Sequence, residues 1–195
     1  MTVLEDRIEM AHASGELTLD IMFEWLEKLP IPEGTKAEIV GGNIYMSPQR
    51  QNHWEIIFGI LLQLRDRYPP KRLASDVRID FPGYLNGFAC DVAAMAERSV
   101  KDGNGRWRYQ DVEFVAEVIS KDTARNDYGP KKTAYATAEV PVYLIVDPYQ
   151  GRCHLYTDPK EGDYEVETIV PFGKDLDLTG TVVDLVLKTD EFPRD

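Results

Sequence analysis

Asp91 and Glu117 are two residues whose type and sequence surroundings could support chemistry. Each is a carboxylate in an otherwise apolar, strand-like stretch: Asp91 lies in residues 90–95, and Glu117 lies near the end of a β-branched stretch, 112–119. An ionised Glu buried without a partner would cost several kcal/mol, so Glu117 needs a cation, a hydrogen-bond donor or a raised pKa. Two acids on neighbouring strands would supply hard oxygen ligands for a metal ion.

A lysine follows these acids on the next predicted helix. The pattern predicts this helix over residues 127–139, and Lys131 is one of two adjacent lysines in it. With the two acids, a lysine at this position could bind a phosphate group beside a metal ion. The alternative is structural, with Glu117 paired to Lys131 or Arg125 and Asp91 capping a turn. Perturbed carboxylates also occur in structural ion networks, so the spacing leaves both interpretations open.

Length and composition predict one globular domain. The chain has 195 residues, of which 43% are apolar and 29% charged, enough for a sizeable core. Residues 1–15 are acidic and contain no apolar stretch, and we expect a mobile arm. No stretch approaches the ~18 apolar residues that cross a bilayer, so we expect a cytoplasmic protein. Cys90 and Cys153 lack metal-ligand spacing and are expected to be buried free thiols.

The charge of the chain argues against one mode of nucleic-acid binding. A net charge of −12 argues against broad, non-specific coating of DNA, because that mode neutralises phosphates with many lysines and arginines. The charge is unevenly distributed, however, because residues 158–195 contain eleven acids and four bases, whereas residues 98–135 contain six acids and eight bases. The candidate site therefore lies in the least acidic part of the chain.

A predicted hairpin and a predicted long helix precede the strands that carry the two acids. Two short apolar stretches around a Gly-Gly pair, within residues 37–46, are typical of a hairpin with a two-residue turn. From its alternation alone, Glu38 is expected to face solvent. Residues 51–68 have apolar side chains at helical spacing and should form the main core-facing helix. His53, in its first turn, is expected to be a surface or capping residue.

The remaining pattern predicts an α/β fold. Residues 112–146 follow the order strand, helix, strand, which is typical of a βαβ unit with parallel strands. Thr18 is a good N-cap for a first helix, and residues 97–110 should form a surface loop. Further strands are predicted over residues 76–81, 152–157, 164–170 and 182–187.

A series of short segments along the chain is specific in its order and spacing. The segments are Leu17-Thr18, Ala37-Glu38-Ile39-Val40-Gly41-Gly42, Ser47-Pro48 with His53, Asp91, Glu117-Val118-Ile119-Ser120, Asp127 with Gly129, Lys131 and Tyr135, Val140-Pro141-Val142-Tyr143, and Val146-Asp147-Pro148. Over most of the chain, this series resembles the bacterial Uma2 family within the PD-(D/E)XK, or restriction-endonuclease-like, superfamily. The resemblance implies one α/β domain with a mixed central sheet flanked by helices, preceded by an N-terminal helix and a β-hairpin.

The resemblance also implies a set of site residues. Asp91 and Glu117 would be the acidic metal ligands, Lys131 the lysine of the site and Glu38 an additional acidic member. The metal would be Mg²⁺ or Mn²⁺, which prefer oxygen ligands. Substrate-binding roles are expected for Lys121, Arg125, Lys132 and His53.

Two positions depart from the family pattern. Cys90 stands where the family usually has Pro before the first acid. Ile119 occupies the place of the superfamily's lysine, two residues after the second acid, so the lysine must come from the following helix.

Two functions of different classes follow from these residues. The first is a metal-dependent DNA endonuclease that hydrolyses phosphodiester bonds. The second is a weakly active or inactive protein with a nuclease fold, acting as a binding or assembly module, and the acidic composition supports it. DNA is the expected partner of the first; a homodimer and no membrane association are also expected. A metal titration distinguishes the two, because a binding module has no reason to keep a site that depends on both Asp91 and Glu117.

Overall fold

The computed structural model describes residues 17–195 in two compact units, which divide between Glu33 and Gly34. The mobile arm predicted for residues 1–15 lies outside the described residues. In the first unit, helix α1 (Leu19–Lys28) begins after Thr18, whose hydroxyl accepts a 3.3 Å hydrogen bond from the backbone N–H of Ile21. The predicted N-cap is therefore confirmed.

The second unit, residues 34–195, contains the strands. A four-stranded antiparallel sheet is formed by β1 (Thr35–Val40), β2 (Asn43–Pro48), β4 (Val77–Phe81) and β5 (Asn86–Cys90), in the order β2-β1-β5-β4. A six-stranded sheet is formed by β3 (Leu73–Ala74), β6 (Val92–Met95), β7 (Val112–Val118), β8 (Val142–Asp147), β9 (Arg152–Lys160) and β10 (Asp163–Pro171), in the order β10-β9-β8-β7-β6-β3. Two short strands, β11 (Leu176–Asp177) and β12 (Val186–Leu187), pair with each other.

The six-stranded sheet is mixed, as predicted. β7 and β8 are parallel, and the other adjacent pairs in this sheet are antiparallel. A helical segment joins the two parallel strands, which confirms the βαβ unit and the predicted α/β fold class. It consists of α3 (Ala124–Asn126), a π-helical turn (Asp127–Lys131) and α4 (Lys132–Thr137).

The π-helical turn was not predicted, and Pro130 within it suggests a physical reason. Proline has no backbone N–H and its ring clashes with the carbonyl of an ordinary helix, so the helix widens locally. The helix also ends earlier than predicted, because Glu139 adopts a left-handed backbone with φ of 57°.

Two other predicted elements are shorter than expected. Helix α2 (Gln51–Leu64) stops before residue 68, and Pro69 disfavours a helical backbone at the residue that precedes it. The strand predicted over residues 182–187 is wrong except for Val186–Leu187, since Asp184 has a φ of 49°, which no strand accommodates.

The predicted hairpin and the predicted state of the cysteines are confirmed. Gly41 and Gly42, with φ of 59° and 77°, form the two-residue turn between β1 and β2. Cys90 and Cys153 are buried and free. No helix within residues 17–195 has the length and apolar character needed to span a membrane.

Alternate residues of β7 face two hydrophobic cores on opposite sides of the six-stranded sheet. Phe114 and Ala116 belong to the core that contains the buried face of α2. Val115 belongs to the core that contains Tyr135 and Tyr143. Since Glu117 has the same parity as Val115, it points to the side of the sheet on which the helical segment packs.

Candidate active site

Asp91 lies where the chain passes from one sheet to the other. Strand β5 of the four-stranded sheet ends at Cys90, and β6 of the six-stranded sheet begins at Val92. The buried Oδ2 of Asp91 accepts a 2.7 Å hydrogen bond from the backbone N–H of Val118, at the end of β7. Asp91 is therefore anchored to the neighbouring strand, beside Glu117, and does not cap a turn of its own strand.

Glu117 is 1% exposed and has three donors around its carboxylate. Its Oε1 lies 2.8 Å from the Nζ of Lys131 and accepts a 2.6 Å hydrogen bond from the hydroxyl of Tyr135. Its Oε2 lies 3.2 Å from the Nζ of Lys36. The expectation that a buried Glu at this position needs cations and donors is confirmed.

Lys131 is also 1% exposed, although it carries a formal charge. Its Nζ lies 2.9 Å from Asp127 Oδ1, one turn earlier, and donates hydrogen bonds of 3.2 and 3.1 Å to the two carboxylate oxygens of Glu38. The ammonium thus has three carboxylate partners, the third being Glu117. Of the two cations weighed for Glu117, the structure selects Lys131 and not Arg125.

Glu38 does not face solvent, and that expectation is wrong. It is 6% exposed and lies against Lys131, because the face of β1 that carries it covers the cluster. Lys36 lies two residues earlier on the same strand, and alternate strand residues share a face. Its Nζ lies 2.7 Å from Asp91 Oδ1, in addition to the contact with Glu117.

Lys36 and Asp127 are members of the cluster that the sequence interpretation did not include as site residues. A signal for Lys36 existed, because it lies two residues before Glu38 and one residue before the predicted strand, and alternate strand residues share a face. Asp127 had a weaker signal: it lies four residues before Lys131, a spacing that brings side chains together on a helix.

A small cleft opens onto this cluster. It has a volume of about 40 Å³ and is lined by the two lysines, the four carboxylates, the first turns of α2 and the loop that contains Ser120 and Thr123. A single water needs roughly 10–15 Å³ of such space, so the cleft has room for a few waters or a small ion.

His53 is one of the cleft-lining residues, and the expectation of a surface or capping role is wrong. It is 7% exposed, and the N-cap of α2 is Arg50, with no side-chain hydrogen bond. Among residues 17–195, the buried Nε2 of His53 has no hydrogen-bond partner. Burial lowers the pKa of this imidazole, which favours its neutral form.

Three expected substrate-binding residues lie outside the cleft lining. Lys121 and Arg125 are exposed. Lys132 forms a 2.8 Å ion pair with Asp163, and its Nζ lies 4.9 Å from the ring centroid of Tyr156. Lys131 and Lys132 therefore point in different directions, as the geometry of successive helical residues predicts.

Burial raises the pKa values of three acids in the cluster, and the neighbouring lysines lower them. Burial, only partly offset by Lys36, raises the pKa of Asp91 to about 7, and burial likewise raises the pKa of Asp127 to about 6. Burial would also raise the pKa of Glu117, but Lys131 and Lys36 together lower it to about 2. Of these three acids, Glu117 is the most firmly ionised.

The donor chemistry of the cluster fits a hard divalent cation. Mg²⁺ and Mn²⁺ bind through one or two carboxylates and keep several waters, and Asp91 and Glu117 supply such a pair. Within the described residues, no three His, Cys, Asp or Glu side chains are grouped with the geometry of a metal site. At the Asp91–Glu117 pair, the Nζ of Lys36 contacts one oxygen of each carboxylate.

The mixed sheet and the acid–lysine cluster at its junction with a second sheet define a restriction-endonuclease-like domain. A family model described as "Putative restriction endonuclease", Uma2, matches residues 23–190, and the chain belongs to this family. A similar solved structure is a "putative nuclease belonging to DUF820" from Anabaena variabilis, with 17% sequence identity and a TM-score of 0.68 over 91% of this chain and 97% of that one. No curated protein matches the sequence. The family resemblance identified from the short segments is confirmed.

Proposed function

We propose that this protein is a metal-dependent DNA endonuclease that hydrolyses phosphodiester bonds. The observation that carries the proposal is the position of Asp91 and Glu117, which are buried side by side at a cleft with Lys131 against them. Membership of a family of restriction-endonuclease-like proteins supports the same chemistry.

In this proposal, Asp91 and Glu117 hold Mg²⁺ or Mn²⁺. When bound, the ion supplies an acidified water and stabilises negative charge on the phosphate. The backbone N–H of Val118 fixes Asp91, and the hydroxyl of Tyr135 fixes Glu117, so both carboxylates are oriented before the substrate arrives. Preorganised groups of this kind avoid the cost of rearrangement during the reaction.

Lys131 is the proposed lysine of the site, and Glu38 the acid that positions it. The carboxylates around Lys131 raise its pKa well above the ordinary value despite its burial, so it stays charged. A permanently charged ammonium at this place can orient the attacking water or the scissile phosphate. Glu38 contacts the ammonium with both carboxylate oxygens and limits its movement.

Substrate contacts are proposed both inside and outside the cleft. His53 lines the cleft and would contact the sugar or phosphate that enters it. The exposed Lys121 and Arg125 would contact phosphates farther along the strand, where surface cations bind without sequence preference. Lys132 is a less favourable candidate for a phosphate contact, because its ammonium is already paired with Asp163.

We also propose that the protein is a homodimer and that it is located in the cytoplasm. Light scattering of the purified protein and cell fractionation test these two points.

The decisive experiment is incubation of the purified protein with supercoiled plasmid and linear DNA in Mg²⁺, in Mn²⁺ and in EDTA. We expect cleavage with at least one of the metals and none in EDTA. Asp91→Asn and Glu117→Gln should each abolish cleavage while circular dichroism reports a folded protein. Wild-type protein that never cleaves DNA with either metal would contradict the proposal.

The binding-module alternative has one observation in its favour. Lys36 and Lys131 give each of the four carboxylates a cationic partner, so the cluster forms a connected ion network from the chain's own residues. A protein that does not cleave DNA, and that retains full stability in EDTA without binding Mn²⁺, would support this second function.

A further inference from the structure

Lys36 is a buried cation held between the two proposed metal ligands. Its side chain is 9% exposed, and its Nζ lies 2.7 Å from Asp91 Oδ1 and 3.2 Å from Glu117 Oε2. These are charge-assisted contacts to two acids at once. The second cation of the cluster, Lys131, contacts Oε1 of Glu117, the opposite oxygen.

The other oxygens of the acid pair already have partners. Asp91 Oδ2 accepts from the backbone N–H of Val118, and Glu117 Oε1 accepts from Tyr135 beside Lys131. The two remaining oxygens, Asp91 Oδ1 and Glu117 Oε2, are those contacted by Lys36. A cation held by both Asp91 and Glu117 would therefore compete with the Lys36 ammonium for these carboxylates.

The charge of the cluster also indicates that a single divalent ion competes with Lys36. Four carboxylates, those of Glu38, Asp91, Glu117 and Asp127, surround two ammonium groups. With all groups ionised, the excess negative charge equals the charge of one divalent cation. One divalent ion balances this excess, whereas a second would leave the cluster with a net positive charge.

We propose that Lys36 is a built-in competitor of the metal: its ammonium holds Asp91 and Glu117 together without metal and is displaced when one divalent ion bridges them. This inference rests on the proposed function, because it concerns the same ion. Lys36 also lines the cleft, so the displaced ammonium stays at the place where a phosphate would enter. Each protein chain then binds a single ion at this pair.

The test is a titration of full-length protein with Mn²⁺, with free Mn²⁺ measured by electron paramagnetic resonance at fixed pH and ionic strength. Lys36→Met removes the competing charge, so we expect binding of Mn²⁺ about tenfold tighter or more. Lys36→Arg keeps the charge and should bind no tighter than wild type. The matched control is Lys132→Met, which removes a cation outside the cleft and should change affinity by less than about twofold.

A second readout protects the test against a variant that folds poorly. Without the Lys36 ammonium, the carboxylates of Asp91 and Glu117 repel each other, so in EDTA Lys36→Met should have a lower Tm than wild type. Saturating Mn²⁺ should raise the Tm of Lys36→Met by more than it raises the Tm of wild type. Lys36→Gln, which also lacks the charge but can still donate a hydrogen bond, should behave in the same direction. It provides the measurement if the Met variant does not fold.

The outcomes separate this inference from the endonuclease itself. Unchanged or weaker Mn²⁺ binding by both uncharged variants overturns the competitor role, even if the wild type cleaves DNA. Tighter binding by both, in a protein that cleaves no DNA, supports the role and contradicts the endonuclease. Absence of Mn²⁺ binding by the wild type and by every variant overturns both.

Discussion

Tyr135 donates a 2.6 Å hydrogen bond to Oε1 of Glu117, the oxygen that also lies 2.8 Å from the Nζ of Lys131. Tyr135 follows Lys131 by four residues, so one face of the helical segment delivers both donors to one oxygen. The ring of Tyr135 is fully buried between Phe81, Phe88 and Tyr143. The orientation of Glu117 is therefore set by core packing.

We expect Tyr135→Phe to lower the free energy of unfolding by about 1–3 kcal/mol, because it leaves a buried charged oxygen without one of its donors. Tyr164→Phe is the matched control, since that hydroxyl donates a 3.0 Å hydrogen bond to the neutral carbonyl of Val140. It should cost about 1 kcal/mol and leave Mn²⁺ binding unchanged. Urea unfolding of both variants measures the difference; a smaller loss for Tyr135→Phe than for Tyr164→Phe would contradict this role of Tyr135.

The sequence was sufficient to predict that Asp91 and Glu117 lie together. Each acid lies in an apolar stretch typical of a covered strand. The βαβ order includes the Glu117 strand but not the stretch that carries Asp91, so the proximity of the two acids was implied by the family resemblance. The direction of Lys131 was also predictable, because it shares a helix face with the apolar Tyr135. The direction of Lys131 required only local periodicity, whereas the pairing of the two acids required the family resemblance.

The position of Glu38 was not predictable from the same kind of pattern. Alternation places Glu38 on the face opposite Ile39, which is correct, but it does not say what covers that face. In the structure, Glu38, Ile39 and Val40 are all buried, because both faces of β1 are covered at this end. The residue that contacts Glu38 is Lys131 at the end of the π-helical turn, 93 residues later in the sequence.

Lys36 and the π-helical turn are two further features that the local sequence pattern does not predict. The pairing of Lys36 with Asp91 spans 55 residues and depends on how the chain crosses from one sheet to the other. Pro130 was visible in the sequence, but whether it ends a helix, bends it or widens it depends on packing around it. A buried lysine between two acids is a property of the assembled fold and not of a local motif.

Glu38→Gln should reduce metal-dependent DNA cleavage more than His53→Ala does. The carboxylate of Glu38 contacts Lys131 with both oxygens, so the amide would weaken the position and charge balance of that ammonium. His53 lines the cleft without a contact to Lys131, so its removal should affect substrate binding first. Initial cleavage rates at several DNA concentrations, at saturating Mn²⁺, separate the two effects. If Glu38→Gln cleaves as wild type does, Glu38 has only a structural role.

Lys131→Met should abolish cleavage in Mn²⁺, whereas Lys132→Met should lose little. The first change removes an ammonium that contacts three carboxylates, and the second breaks only a partly exposed pair with Asp163. Removing one partner from a buried ion pair costs about 3–5 kcal/mol, so Lys131→Met is also expected to be less stable. Circular dichroism at the assay temperature shows whether it is folded.

The comparison of lysines needs one further variant. Lys121→Met removes an exposed cation beside the cleft and should weaken DNA binding without abolishing cleavage. If Lys121→Met or Lys132→Met is the change that abolishes cleavage, the assignment of Lys131 as the lysine of the site is wrong.

Mn²⁺ should stabilise the wild-type protein through Asp91 and Glu117. An ion that binds only the folded state at about one hundred times its Kd adds about 2.7 kcal/mol to the free energy of unfolding. Asp91→Asn and Glu117→Gln should remove this gain, and EDTA should reverse it in the wild type. The matched control is Glu113→Gln, on the same strand, whose carboxylate contacts Arg72 at 3.3 Å outside the cleft. It should keep the full gain, because its oxygens are not among the proposed ligands. Urea unfolding with and without Mn²⁺ gives the four values, and an equal gain in all four proteins would show that the ion binds elsewhere.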